Sequence, residues 1–441
     1  MDLVVLANRE PVRRVGGRYE VAVGGLAAAL FPVLRELGGS WVAWNPGGPD
    51  VELALGNVRV RRVGLKTAEV RGYYGGFANR ALWPLMHGML DKFEHRRAWW
   101  RAYQAVNRRF AVAAQELDAG RYWVHDYHLA LAPALLRKAR PVARIGIFWH
   151  VPWPPSAAFF ALPEAKEVVA GLLGADLIGF HTEEYRHYFL ETARALGYRV
   201  EGNAVWSGTR PVRVGVFPIG VDTEGLLEEA RRAAPLAEAI RRREGERVLF
   251  VGADRLDYTK GIPERIKAWR RFLARHRRTR ERARLRLLLS PSRSSLPAYR
   301  ALAREVRALA REVGRRYPGA LELRVAALSR AELLAHYRAA RFAAVTPLKD
   351  GMNLVAQEFA LVGGGIPLLS RFAGAADYLK EALIVNPYDE EGLADAYAEA
   401  MAMDEAELTA RKAALMERVR ALDVRGWARR FLEALDAAPE G

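Results

Sequence analysis

The chain has 441 residues, more than one hydrophobic core ordinarily supports, so two domains are expected. Hydrophobic residues at 51% and charged residues at 27% exclude wholesale disorder, and the absence of Cys excludes disulfides, thiolate catalysis and thiolate metal sites. The net charge of +17 directs attention to an anionic partner: nucleic acid, an acidic membrane surface or phosphorylated small molecules.

Much of the positive charge is Arg in Ala/Arg/Glu/Leu-rich stretches such as Glu264 to Arg284 and Ala331 to Arg341, which predict helices with solvated faces and i,i+4 pairs. The charge is therefore explained in part by background composition. No window of about 18 uncharged apolar residues occurs, and Met1 to Leu6 lacks the basic flank of a secretory signal. The expectation is a soluble, cytoplasmic chain without a membrane partner.

In chain order, short apolar runs alternate with helical patterns: Leu3 to Leu6, Trp41 to Trp44, Trp123 to His125, Ile145 to Phe148, Leu177 to Phe180 and Val214 to Phe217. The scheme repeats at Val248 to Val251, Leu285 to Leu289, Ala343 to Val345, Pro367 to Ser370 and Leu383 to Val385. Continuous apolar strands between helices indicate parallel sheets covered on both faces, so the pattern predicts a doubly wound α/β fold twice over. The boundary falls between Pro218 and Glu246, with Asp222 as a helix N-cap, which divides the chain into domains 1–220 and 221–422. The helical end around Gly426 to Leu435 carries Trp427 and Phe431 on one side and must bury that stripe. We expect a helix over 423–438 to complete the first domain. Ligands of open α/β sheets bind outside the carboxyl ends of strands, so function is sought in the loops that follow them.

The first strand runs into Asn8-Arg9, where a guanidinium suits bidentate phosphate recognition but also a surface ion pair. Gly24 and Gly25 precede a helical pattern containing Pro32, which predicts a kink, and their amides suit a diphosphate or a simple tight turn. Tyr73 to Asn79, followed by Leu82-Trp83-Pro84, mixes aromatics with glycines too flexible for a helix, as a sugar platform or a core plug would. His125-Asp126-Tyr127-His128 follows a strand. A third ligand at metal spacing is missing, so orientation of a hydroxylated substrate by Asp126 is the better reading. His150 stands at another strand end, stiffened by Pro152, Pro154 and Pro155.

In the second half, Arg255 and Lys260 lie five residues apart in one loop, a pair able to neutralise a leaving diphosphate without a metal. Arg293 follows a further strand. Asp350 and Gly351 open a turn through Met352 and Asn353 into a helix carrying Leu354, Val355 and Glu358, where a carboxylate can bind both ribose hydroxyls.

Taken together, Asn8-Arg9, Gly24-Gly25-Leu26, Tyr73-Tyr74 through Leu82-Trp83-Pro84, His125-Asp126-Tyr127-His128-Leu129, His150-Val151-Pro152, Arg255-Leu256-Asp257-Tyr258 with Lys260-Gly261, and Asp350 to Leu354 resemble the trehalose-6-phosphate synthase family in identity and order. The resemblance continues through Phe372 to Ala376 and Asn386 to Asp389. It implies a GT-B fold, two Rossmann-like domains facing a central cleft, and a retaining hexosyltransferase of trehalose biosynthesis. Glucose passes from UDP-glucose to glucose 6-phosphate by a front-face route with no metal and no cofactor.

Carried over by position, Arg9, Tyr74, Trp83, Asp126 and Arg293 hold the acceptor. Gly24, Gly25, Arg255, Lys260, Leu328, Gly351, Met352, Asn353 and Leu354 to Glu358 hold the donor, and His150 and Asp350 contact its transferred glucose. Asp126, His150, Arg255, Lys260 and Asp350 then form the catalytic set, with domain 1–220 serving the acceptor and 221–422 the donor. Lys349 stands where the family often has Arg, His181 where Gln is commoner, and Pro318 to Ser329 is short. The choice among UDP, ADP and GDP stays open, as does a homo-oligomeric state. The rival readings are glucosyl transfer to glycerol 3-phosphate, a catalytically silent regulatory homologue, and a basic nucleic-acid-binding protein, for which no recognised basic-helix, finger or stacking motif is present.

Overall fold

The computed structural model describes residues 3–15, 18–21, 25–45 and 48–438, so the predicted donor glycine Gly24 lies outside the described residues. The chain divides into two compact units, Met1–Ile219 with Val424–Gly441, and Gly220–Asp423. The strands of the first unit are β1 (Leu3–Leu6), β2 (Val12–Val15), β3 (Arg18–Val21), β4 (Gly39–Asn45), β5 (Val51–Leu55), β6 (Val58–Gly64), β7 (Arg121–His125), β8 (Arg144–Phe148), β9 (Leu177–Phe180), β10 (Val200–Glu201), β11 (Ala204–Ser207) and β12 (Arg210–Val216). Those of the second are β13 (Val248–Arg255), β14 (Ala283–Ser290), β15 (Leu321–Val325), β16 (Phe342–Val345), β17 (Ile366–Ser370) and β18 (Leu383–Val385).

In the first unit the sheet order is β10-β11-β12-β9-β8-β7-β1-β4-β6-β5, parallel from β12 to β6 and antiparallel at both edges. β1 and β9 are buried along their whole length, as strands covered on both faces must be. The second sheet, β15-β14-β13-β16-β17-β18, is parallel throughout. These are the two doubly wound sheets that the apolar runs predict.

The closing helix Val424–Asp436 belongs to the first unit, because its apolar stripe has a partner there. Trp427 and Phe431 are fully buried, with ring centroids 5.1 and 4.9 Å from Trp123. In the second unit Asp222 caps its helix by accepting from the Gly225 N–H at 3.1 Å.

Two local expectations are corrected. Tyr73–Leu82 is helical, wound more widely than an α-helix, and the Trp83 N–H reaches the Ala78 carbonyl five residues back. Gly76 serves close packing here: a Cβ on it would stand 2.5 Å from the Trp99 ring, so the glycine admits the neighbouring helix. The helix through Glu264 ends at Arg275, well before Arg284. Beyond Ala274 no apolar residue arrives until Ala283, and Ala283, Leu285 and Leu287 enter the core of β14 instead. The helix Gly25–Leu37 continues through Pro32.

Candidate active site

In the first unit, the loops after β1, β7 and β8 and the wide helix bring several of the predicted residues into one connected group. Arg9 donates from Nη2 to the Tyr74 hydroxyl at 2.9 Å. The Tyr74 ring stacks on His128, with centroids 6.0 Å apart and planes 12° from parallel. Asp126 adopts a φ of 73°, a left-handed backbone uncommon outside Gly, which points to a local constraint. Its Oδ1 accepts the His150 backbone N–H at 3.2 Å, and its Oδ2 lies 3.9 Å from His128 Nδ1. Trp83 joins through Tyr127, 5.8 Å away centroid to centroid. A cation, a phenol, a carboxylate and aromatic faces in sequence can grip a phosphorylated, hydroxylated ring.

His150 is set by a residue that motif reasoning did not assign a role. His125 Nδ1 meets His150 Nε2 at 3.0 Å, and His181 stands 5.3 Å from His150 between ring centroids. Burial pushes the fully buried His125 down to about 3. Burial, then the neighbouring His125 and His181 rings, holds His150 well below the ordinary imidazole value. A neutral imidazole there acts as a hydrogen-bond partner and does not carry a charge at neutral pH.

In the second unit the cations gather around Asp257, a residue of the Arg255 to Tyr258 motif to which the sequence assigned no role. Asp257 is wholly buried and accepts from Arg293 Nη1 at 3.0 Å, from the Tyr299 hydroxyl at 3.1 Å and from the Thr259 N–H at 3.1 Å. Burial acts upward on its pKa, but Arg293, Arg255 and Lys260 together hold it below the usual carboxylate range. Arg255 ends β13 with an exposed side chain, and Lys260 Nζ lies 2.5 Å from Asp350 Oδ2. Asn353 Nδ2 donates to the same oxygen at 2.9 Å.

The Asp350 to Asn353 turn is fastened to the loop after β17. Asp350 N–H donates to the Phe372 carbonyl, and Ala375 N–H to the Met352 carbonyl at 2.8 Å. Asn353, at φ 76°, caps the helix Leu354–Val362 by accepting the Ala356 N–H. Glu358, predicted for ribose, is buried and bonded at 2.7 Å to Arg330, which also reaches Glu229. Leu328 stands half-buried in the loop between β15 and the helix Arg330–Ala339, while Leu354 and Val355 are half-buried at the start of their helix. Gly25 is the first residue of its helix. Among the described residues, no group of three or more His, Asp or Glu side chains is arranged to hold a metal ion, and no helix is long and apolar enough to cross a membrane.

Residues 15–437 match the sequence model of glycosyltransferase family 20. The chain belongs to that family. Among family members, the trehalose-6-phosphate synthase of Mycobacterium avium is 40% identical over 473 residues, an overlap of 98% of this chain and 95% of the relative. The bifunctional trehalose-6-phosphate synthase/phosphatase of Thermoproteus tenax is 41% identical across 99% of this chain, which spans 64% of that relative's length.

Two solved structures superpose along the whole chain. The α,α-trehalose-phosphate synthase (UDP-forming) of Burkholderia xenovorans in complex with glucose-6-phosphate gives a TM-score of 0.91 at 31% identity, covering 99% of this chain and 100% of that one. The E. coli protein bound with UDP-2-fluoro glucose gives 0.91 at 31% identity, covering 99% of each. The two doubly wound units of this family 20 chain are of the GT-B type.

Proposed function

We propose that this glycosyltransferase moves glucose from UDP-glucose to glucose 6-phosphate with retention of configuration, giving α,α-trehalose 6-phosphate and UDP without a metal. The observation that carries this reading is the complementary equipment of the two units. The Arg9, Tyr74, Trp83 and Asp126 group suits a sugar phosphate, and the Arg255, Lys260 and Asp350 group suits a nucleotide diphosphate sugar, in a family whose relatives bear that activity in their names.

Chemically, the anomeric hydroxyl oxygen of the acceptor bonds to C1 of the donor glucose as the bond from C1 to the β-phosphate oxygen breaks. The bonding pair leaves with that oxygen, and the same oxygen takes the acceptor hydroxyl proton, so both events occur on one face of the ring. Arg255 and Lys260 stabilise the charge growing on the departing oxygen. His150, neutral, and Asp350 hold the transferred glucose by its hydroxyls. Arg293 serves the acceptor phosphate, and the helix carrying Leu354 to Glu358, with Gly25 and Leu328, holds the nucleotide. Because the leaving oxygen acts as the base, no pair of carboxylates of the hydrolase kind is required. Both reagents are phosphorylated metabolites of the cell interior, which supports a cytoplasmic setting.

The test is UDP release by purified protein in the presence of a chelator. Release from UDP-glucose that requires glucose 6-phosphate supports the proposal. Release that requires glycerol 3-phosphate instead refutes the acceptor, and preference for ADP- or GDP-glucose refutes the donor.

A further inference from the structure

The Arg-rich helix Ile262–Arg275 turns one of its guanidinium groups inward, against the solvated face its composition predicts. Arg265 is 0% exposed and ties three separate chain segments together. Its Nη1 donates to Asp254 Oδ2 at 2.8 Å near the end of β13, its Nε to Thr346 Oγ1 at 2.9 Å just past β16, and its Nη2 to the backbone carbonyl of Lys260 at 3.2 Å. The strand has given way to admit it: a Cβ on Gly252 would stand 2.6 Å from Nη1.

Burying a guanidinium is costly, and a helix-to-sheet contact alone is served by apolar side chains, as Ile266, Trp269 and Phe272 serve it on the same helix. The planar fork does something those residues cannot, since it fixes three donors in set directions at once. Here two of them grip the carboxyl ends of adjacent strands while the third grips the main chain of the lysine, whose ammonium is held at its far end by Asp350.

We infer that Arg265 is a positioning residue for Lys260, anchoring the lysine's backbone to β13 and β16 so that its ammonium stands where the leaving phosphate oxygen develops charge. This rests on the role proposed above for Lys260. The chemistry is one of placement, because a flexible side chain anchored at its base and met at its tip keeps one geometry through the reaction.

Steady-state UDP release by the full chain tests it with Arg265→Lys, Lys260→Ala and the double variant, each first checked for folding by circular dichroism. Arg265→Lys keeps the positive charge beside Asp254 but loses the fork. It is expected to lower kcat roughly 10- to 100-fold with KM for glucose 6-phosphate within about twofold of wild type, and to cost nothing further in the Lys260→Ala background. Should Arg265→Lys not fold, Thr346→Val removes the acceptor of Nε alone and is expected to lower kcat a few-fold, again only when Lys260 is present. Full kcat in Arg265→Lys or Thr346→Val, with a loss in Lys260→Ala, overturns the inference and leaves the role of Lys260 standing. Losses that multiply in the double variant overturn it too, because they mark a structural effect independent of Lys260. Undiminished turnover in Lys260→Ala overturns both.

Discussion

Replacing Lys260 by Met removes the ammonium while keeping most of the side-chain length. Its Nζ lies 2.5 Å from Asp350 Oδ2, and its charge reaches the buried carboxylate of Asp257, so it sits among fixed partners and not in bulk water. At a separation of about 4 Å and an effective dielectric of about 20, one unit charge on the departing oxygen is worth about 4 kcal/mol. Part of that attraction already exists with the intact diphosphate and cancels between ground and transition states. The differential share is about 3 kcal/mol, a fall in kcat on the order of 100-fold, the usual cost of losing one preorganised oxyanion partner. The assay is UDP release at saturating UDP-glucose and glucose 6-phosphate, with Lys380→Ala, an exposed lysine of the same unit, as the comparison expected to keep full rate. Full turnover in Lys260→Met would show that the leaving phosphate is stabilised by other groups.

Tyr74→Phe deletes the hydroxyl bonded to Arg9, and KM for glucose 6-phosphate should rise about tenfold with kcat little changed, measured by varying the acceptor. Turnover should persist undiminished after dialysis against a chelator; its loss, restored by a divalent cation, would contradict the metal-free route. Folding stability should fall as pH drops below about 6.5, because His125, pushed down to about 3, stays neutral in the folded chain over a range where the unfolded chain binds the proton. The slope is about 1.4 kcal/mol per pH unit for such a histidine, and denaturant unfolding at pH 7 and pH 5 with His125→Asn as comparison measures it. Trp427→Ala, which empties the contact between the last helix and Trp123, should lower the unfolding free energy of the first unit by about 3–5 kcal/mol, measured by denaturant unfolding.

The parallel strands were legible because they are apolar on both faces and need no partner to be recognised, as at β1 and β9. β6, which lies inside its sheet beside the edge strand β5, and the edge strand β15 were not, although the edge strand β18 was. β6 alternates Val58 and Val60 with arginines, and β15 is half-exposed along its length, so neither carries the continuous apolar run that marks a buried strand. Glycines misled at Tyr73–Leu82, since Gly76 there relieves crowding against Trp99, a reason visible only once the helices are packed.

Strand-end position pointed to Arg9, Asp126, His150, Arg255, Lys260 and Asp350 as candidates, but gave no hint of what holds them. His125, Asp257 and Arg265 are buried, and residue type alone does not tell a buried polar side chain from a surface one. The signal available for Arg265 was its place in the helix, in register with the buried Ile262, Ile266 and Trp269.

Retaining transfer of glucose is followed at the transferred carbon itself. UDP-glucose labelled with carbon-13 at C1 is incubated with unlabelled glucose 6-phosphate, and the product is read by carbon and phosphorus NMR. The label is expected in an α,α-1,1 linkage on a molecule that still carries its phosphate, with one UDP formed per linkage. Label recovered as free glucose, or in a β linkage, would contradict retaining transfer.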